Sequence, residues 1–125
     1  MNYAFVLLSM IFLHILDDFV LQAPCLCSLK QESYWKENAP DEKYKHDYIW
    51  ALIMHSFSWS FMIMLPIAYV SGFSINYEFA IIFAINVAIH ALVDNAKANW
   101  KLINLWQDQL AHVAQILLTS LLMIL

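Results

Sequence analysis

The chain has 125 residues, 62% of them hydrophobic, with one glycine, three prolines and a formal charge of −4. So apolar a composition excludes an ordinary soluble domain of this size. All six basic residues are lysines, and no patch of the kind that grips nucleic acid can be drawn from them, so nucleic acid is not an expected partner.

A helix needs roughly 20 apolar residues to cross the hydrocarbon core of a bilayer. The first such stretch, residues 2–22, has no Lys or Arg before it and carries His14, Asp17 and Asp18 within it, which is a membrane helix rather than a signal peptide. Pro24 ends it, because proline lacks the amide hydrogen and disfavours helical geometry in the residue before it. Cys25 and Cys27 are too close for an ordinary disulfide and lack the second pair of a thiolate metal site, so they are expected as reduced thiols. Residues 24–47 form a polar, charged loop. The second helix, residues 48–70, closes near Pro66 and Gly72, and VSGFSIN supplies a tight turn with the one glycine. Residues 77–98 and 105–125 give the third and fourth helices, joined by a short connection. Short turns make neighbours antiparallel, so the expected architecture is all-α: one integral membrane domain, an up-down four-helix bundle.

Lys30, Lys36, Lys43, Lys45, Lys97 and Lys101 all fall in the first loop or around the third connection, which share one side of such a bundle. By the positive-inside rule that side is cytoplasmic, and both termini and the Gly72 turn face outward. Trp35, Trp50, Trp100 and Trp106 fall near the same interface, as an aromatic belt would.

Ionisable groups inside such helices are costly unless paired or ligated. His14 and Asp18, His90 and Asp94, and Asp108 and His112 are each four residues apart, which sets both members of a pair on one helix face; His55 stands alone on the second helix. The first pair is late in its helix, His55 early, the second pair late and the third early. Alternating chain direction therefore brings all seven to one height, toward the lysine-bearing side. Imidazole nitrogen and carboxylate oxygen together suit a divalent metal, zinc first and manganese or iron next, as one ion or two. His14, Asp18, His55, His90, Asp94, Asp108 and His112 are the expected ligands. Asp94 is a candidate bridge between two ions, a water activated by metal the nucleophile, and Asp18, Asp94 and Lys97 the groups assigned to chemistry. Lys97 lies one turn beyond Asp94, where it neutralises a carboxylate, holds an anionic substrate or snorkels to the headgroups. Asp17, Gln22 and Gln109 are expected to orient ligands or substrate by hydrogen bonds. His46, in the charged loop without a partner at helical spacing, is expected in solvent.

HILDDFVLQ from His14 to Gln22, the isolated His55, HALVDNAK from His90 to Lys97 and DQLAH from Asp108 to His112 form an ordered series that resembles the DUF3307 family of small membrane proteins of bacteria and phages. The resemblance covers all four helices. The pattern is also similar to YdjM-type membrane-bound metal-dependent hydrolases, whose His and Asp arrangement resembles zinc phospholipase C and P1 nuclease. That likeness implies hydrolysis of a phosphoester, with a lipid or other interfacial molecule as substrate and the bilayer as surroundings. Asp17 departs from the pattern, which has a small residue there.

Two other classes compete. A metal or proton transporter needs a polar line across the membrane, and beyond the site the helices are mainly apolar, with Ser60, Asn86, Thr119 and Ser120 leaving a thin polar possibility. A non-enzymatic membrane protein, holin-like or partner-binding, would use the His and Asp residues only to fix helix packing by hydrogen bonds, each contributing about 0.6 kcal/mol. Apolar residues serve packing equally well, which argues against so many ionisable groups for that purpose. Neither oligomeric state nor substrate is written in the sequence.

Overall fold

The computed structural model describes residues 2–124, and its regular structure is helical throughout. The described residues form six α-helices: α1 Tyr3–Ile15, α2 Pro24–Leu29, α3 Glu32–Asn38, α4 Asp47–Val70, α5 Tyr77–Ala98 and α6 Leu105–Ile124. A π-helical turn, Leu16–Leu21, continues α1, and a 3₁₀ turn, Glu42–Tyr44, precedes α4. Asparagines start three of the long helices. Asn2 accepts from the Phe5 amide at 3.2 Å and Asn76 from the Phe79 amide at 2.8 Å. Asn104 and Gln107 form a reciprocal box, each side-chain oxygen accepting the other's backbone N–H at 3.0 Å. Gly72, at φ 65°, takes the left-handed conformation that turns the chain between α4 and α5.

α1 packs on α4 and α6, α5 packs on the same two helices, and α2 and α3 lie against α4. The apolar core, including Val6, Met10, Ile63, Ile67, Phe79 and Ile116, fills the half of the long helices nearer the Gly72 turn. The other half is polar inside. Among the described residues thirteen buried side chains are polar or charged against ten hydrophobic, while Phe5, Phe12, Phe61, Ile81, Leu117 and Leu121 are at least half exposed or close to it. A water-soluble fold has the reverse arrangement, so the outer surface is suited to lipid.

Three runs among the described residues, Tyr3–Leu21, Glu42–Val70 and Tyr77–Ala98, are long and apolar enough to cross a membrane. The fourth crossing expected over residues 105–125 forms a helix of 20 residues but falls below that hydropathy, because its first turns carry Gln107, Asp108, Gln109, His112 and Gln115. Leu125 lies outside the described residues. The segment 24–47, read from sequence as a loop, is largely folded into α2, α3 and the 3₁₀ turn. Asn99, just past α5, staples it down: its Oδ1 accepts from the Glu32 amide at 2.8 Å and its Nδ2 donates to the Lys30 carbonyl at 3.0 Å.

Candidate metal centre

The π turn after α1 explains how two consecutive aspartates face one interior. Consecutive residues of an α-helix point about 100° apart, and the wider π turn reduces that divergence. Its signature bond runs from the Gln22 amide to the Asp17 carbonyl at 2.9 Å. Asp17 and Asp18 are both almost fully enclosed, at 2% and 8% side-chain exposure. Ser58 of α4 donates to Asp17 Oδ1 at 2.7 Å. His55 lies between the two carboxylates, with Nδ1 at 3.6 Å from Asp17 Oδ2 and Nε2 at 3.2 Å from Asp18 Oδ1.

α5 and α6 supply the rest at helical spacing. His112 Nε2 sits 3.3 Å from Asp94 Oδ1 and 3.4 Å from Asp108 Oδ1, and His90 Nε2 is 3.8 Å from Asp94 Oδ1. Asp94 Oδ2 lies 3.6 Å from His55 Nε2, which joins the two halves. Asp18, His55 and His90 form one group whose ligand atoms all lie within 4.8 Å of one another, and His90, Asp94 and His112 form a second. His90 belongs to both.

These contacts are short, yet several are not hydrogen bonds. Among the described residues Asp18 Oδ1, His55 Nε2, both ring nitrogens of His90 and of His112, and Asp108 Oδ1 are buried without a hydrogen-bond partner. Buried polar atoms are ordinarily satisfied, and orphans of this number in one cluster call for a cause. A cation held between these donors would be one such cause. For an ion with ligands at about 2.1 Å, a tetrahedral edge is about 3.4 Å, which is the separation seen between His112 Nε2 and its two carboxylate oxygens. The donors are nitrogen and oxygen, with no thiolate among them.

His14 is differently engaged. Its Nδ1 accepts from Trp59 Nε1 at 2.8 Å, so in the neutral ring Nε2 carries the hydrogen and donates to Gln109 Oε1 at 3.1 Å. Gln109 Nε2 in turn donates to Asp108 Oδ2 at 3.1 Å and approaches Asp18 Oδ2 at 3.4 Å. Both His14 nitrogens are thereby used, and it lies in neither ligand group. Gln22 turns the other way, donating to Cys27 Sγ at 3.0 Å. Lys97 Nζ contacts Asp108 Oδ2 at 2.6 Å and remains 31% exposed, the most open charged group at the cluster. His46 precedes α4 and is exposed; Cys25 and Cys27 are free and exposed.

Two members were not legible as site residues. Lys30, counted from sequence among the loop lysines, is buried and places Nζ 2.6 Å from Asp94 Oδ2. Trp59 is fully buried, stacks on His90 at 4.2 Å between ring centroids and holds His14 through its indole N–H. Its spacing of four from His55, on the same face of α4, was the available signal. His90 also stacks on His112 at 4.2 Å, so the ring lies between two flat neighbours that fix its plane.

A second polar layer lies one turn toward the apolar core. Gln115 Nε2 donates to Asn86 Oδ1 at 2.7 Å and Asn86 Nδ2 to Thr119 at 3.0 Å, with Ser60 also buried.

The chain belongs to the family described as protein of unknown function DUF3307, whose model matches residues 6–125. No curated protein and no solved structure matches it.

Proposed function

We propose that this DUF3307 protein is a membrane-embedded metalloprotein and a metal-dependent hydrolase of phosphoesters. The observation that carries the metal reading is the set of unpartnered imidazole nitrogens and carboxylate oxygens converging from four helices in a buried interior. The hydrolytic reading rests on the donor chemistry and on the likeness of the His and Asp series to YdjM-type hydrolases. The long helices α1, α4, α5 and α6 make an up-down four-helix bundle across the membrane in this reading, with the lysine end cytoplasmic and the termini outside. Although α6 is too polar to count as a crossing by its own hydropathy, its polar face is the one turned to the site, and Leu117, Leu118 and Leu121 are left for lipid.

A divalent ion held by Asp18, His55 and His90 or by His90, Asp94 and His112 would supply Lewis acidity, enough to polarise a phosphoryl oxygen and to make water a competent nucleophile near neutral pH. The chain's own residues do the rest. Asp18 and Asp94 would join the imidazoles as ligands, Asp18 would take the water's proton on its second oxygen, and Lys97 would meet an anionic group arriving from the headgroup region. Gln109 fixes Asp108 and, through His14, is itself fixed by Trp59. The ligand groups are closed to solvent, so admission of substrate requires α2 to lift away with Lys30.

Purified protein in detergent is expected to hold tightly bound zinc, manganese or iron and to cleave an anionic phospholipid or bis-p-nitrophenyl phosphate, with activity lost to a chelator and regained on adding the metal. Retention of metal with no cleavage of either substrate would sink the hydrolase. It would favour a second reading, cation or proton translocation, to which the Asn86, Gln115, Thr119 and Ser60 layer belongs. That layer is followed by apolar Ile63, Ile67 and Phe79, which is why translocation is second.

A further inference from the structure

Four carboxylates, Asp17, Asp18, Asp94 and Asp108, are gathered in this interior, and each is less than a tenth exposed. Two ammonium groups answer them. Lys30 reaches Asp94 Oδ2 and Lys97 reaches Asp108 Oδ2, both at 2.6 Å. In each case the lysine takes one carboxylate oxygen and leaves the other, Oδ1, turned to His112 at 3.3 and 3.4 Å. With the imidazoles neutral, as ligands of a cation must be, and all four carboxylates ionised, the cluster carries an excess of two negative charges. Within a membrane interior an uncompensated charge is costly, so the favoured occupant is one that cancels the excess.

We infer that Lys30 and Lys97 are built-in counter-ions that set the capacity of the site at one divalent cation. The inference rests on the metal-binding reading above and adds to it a stoichiometry and two residues that determine it. One divalent ion neutralises the cluster; two would leave it with an excess of two positive charges in a low-dielectric surrounding. A second feature points the same way. His90 is common to both ligand groups, and a neutral imidazole presents one lone pair, so it serves one ion at a time. The two groups are alternative or shared positions for a single ion.

The lysines also differ in how they are held. Lys97 comes from α5 itself and is partly exposed, whereas Lys30 is brought in by α2, whose end is stapled to Asn99. Capacity is therefore linked to the docking of the α2 segment. The backbone carbonyl of Lys30 is the atom Asn99 holds, so the staple acts within one residue of the charge it positions.

The test is titration of the metal-stripped, detergent-purified full chain with zinc, read as equivalents bound by elemental analysis and as affinity by competition with a chelating dye. Wild type is expected to bind one equivalent. The Lys30→Gln, Lys97→Gln double variant, which keeps hydrogen-bond donors but removes both charges, is expected to bind a second equivalent or to hold the first at least tenfold more tightly. Lys30→Arg with Lys97→Arg should restore one equivalent at wild-type affinity. Two equivalents in wild type, or a glutamine variant identical to wild type in both readouts, would overturn the inference while leaving metal binding intact. No zinc bound by wild type would overturn the metal reading itself and this inference with it. Because the wild-type stoichiometry is decisive alone, failure of a variant to fold does not remove the test.

Discussion

Replacing His90 by alanine is expected to strip the protein of its metal, lowering affinity by more than the roughly 10- to 100-fold that follows loss of a ligand's orienting partner. His90 is the one residue common to the two ligand groups, so neither position keeps a full set without it. Both of its ring nitrogens are buried and unpartnered, which leaves no hydrogen bond to be lost and assigns the effect to the ion. The ring is stacked against Trp59 and His112, and His90→Gln, which fills more of that space, separates loss of ligation from loss of packing. His46→Ala, at an exposed position before α4, is the matched control and should retain wild-type metal content. Unchanged metal in purified His90→Ala would remove His90 from the site.

The second large effect is on stability. Asp94→Ala removes the carboxylate that Lys30 contacts at 2.6 Å and leaves a buried ammonium group without its contact partner. Breaking a buried pair in this one-sided way costs about 3–5 kcal/mol. The midpoint of thermal unfolding in detergent should fall markedly. Adding Lys30→Met should recover a substantial part of it, because the unpaired charge is then gone. The exposed pair between Lys36 and Glu32 gives the contrast: although its N···O distance is 2.9 Å, its loss should leave the midpoint where it was, since solvent and salt screen such pairs. An Asp94→Ala protein that unfolds with wild type would contradict the buried Lys30 contact.

The sequence carries the helical site residues plainly because two periodicities coincide there. Spacing of four marks His90 with Asp94 and Asp108 with His112 as neighbours on one face, and uninterrupted hydropathy marks α4 and α5 to within a residue of where they lie. α6 is the instructive exception: the residues that it brings to the polar cluster, Asp108, Gln109 and His112, are those that lower its hydropathy below that of a membrane crossing. The contributions of Lys30 and Asn99 were not legible, since each depends on tertiary contacts made 64 to 69 residues away. Composition places Lys30 in a charged loop, and only the folding of that loop into α2 and α3 turns it inward.

Asp17 and His14 show a different limit. A helix of ordinary pitch turns only one of two adjacent aspartates inward, and the π turn at Leu16–Leu21 that accommodates both has no periodic signature in sequence. His14 has the spacing of a ligand but is drawn into hydrogen bonds by Trp59 and Gln109, partners on α4 and α6. Spacing identifies which side chains share a face; it does not say which hydrogen-bond partners each meets there.

X-ray absorption spectroscopy of the metal-loaded, detergent-purified protein tests the central claim most directly. The account predicts a first shell of nitrogen and oxygen only, at about 2.0–2.2 Å, with the outer-shell scattering of two or three imidazoles. A sulfur scatterer at about 2.3 Å, as Cys25 and Cys27 would give, or an absence of imidazole scattering, would contradict it.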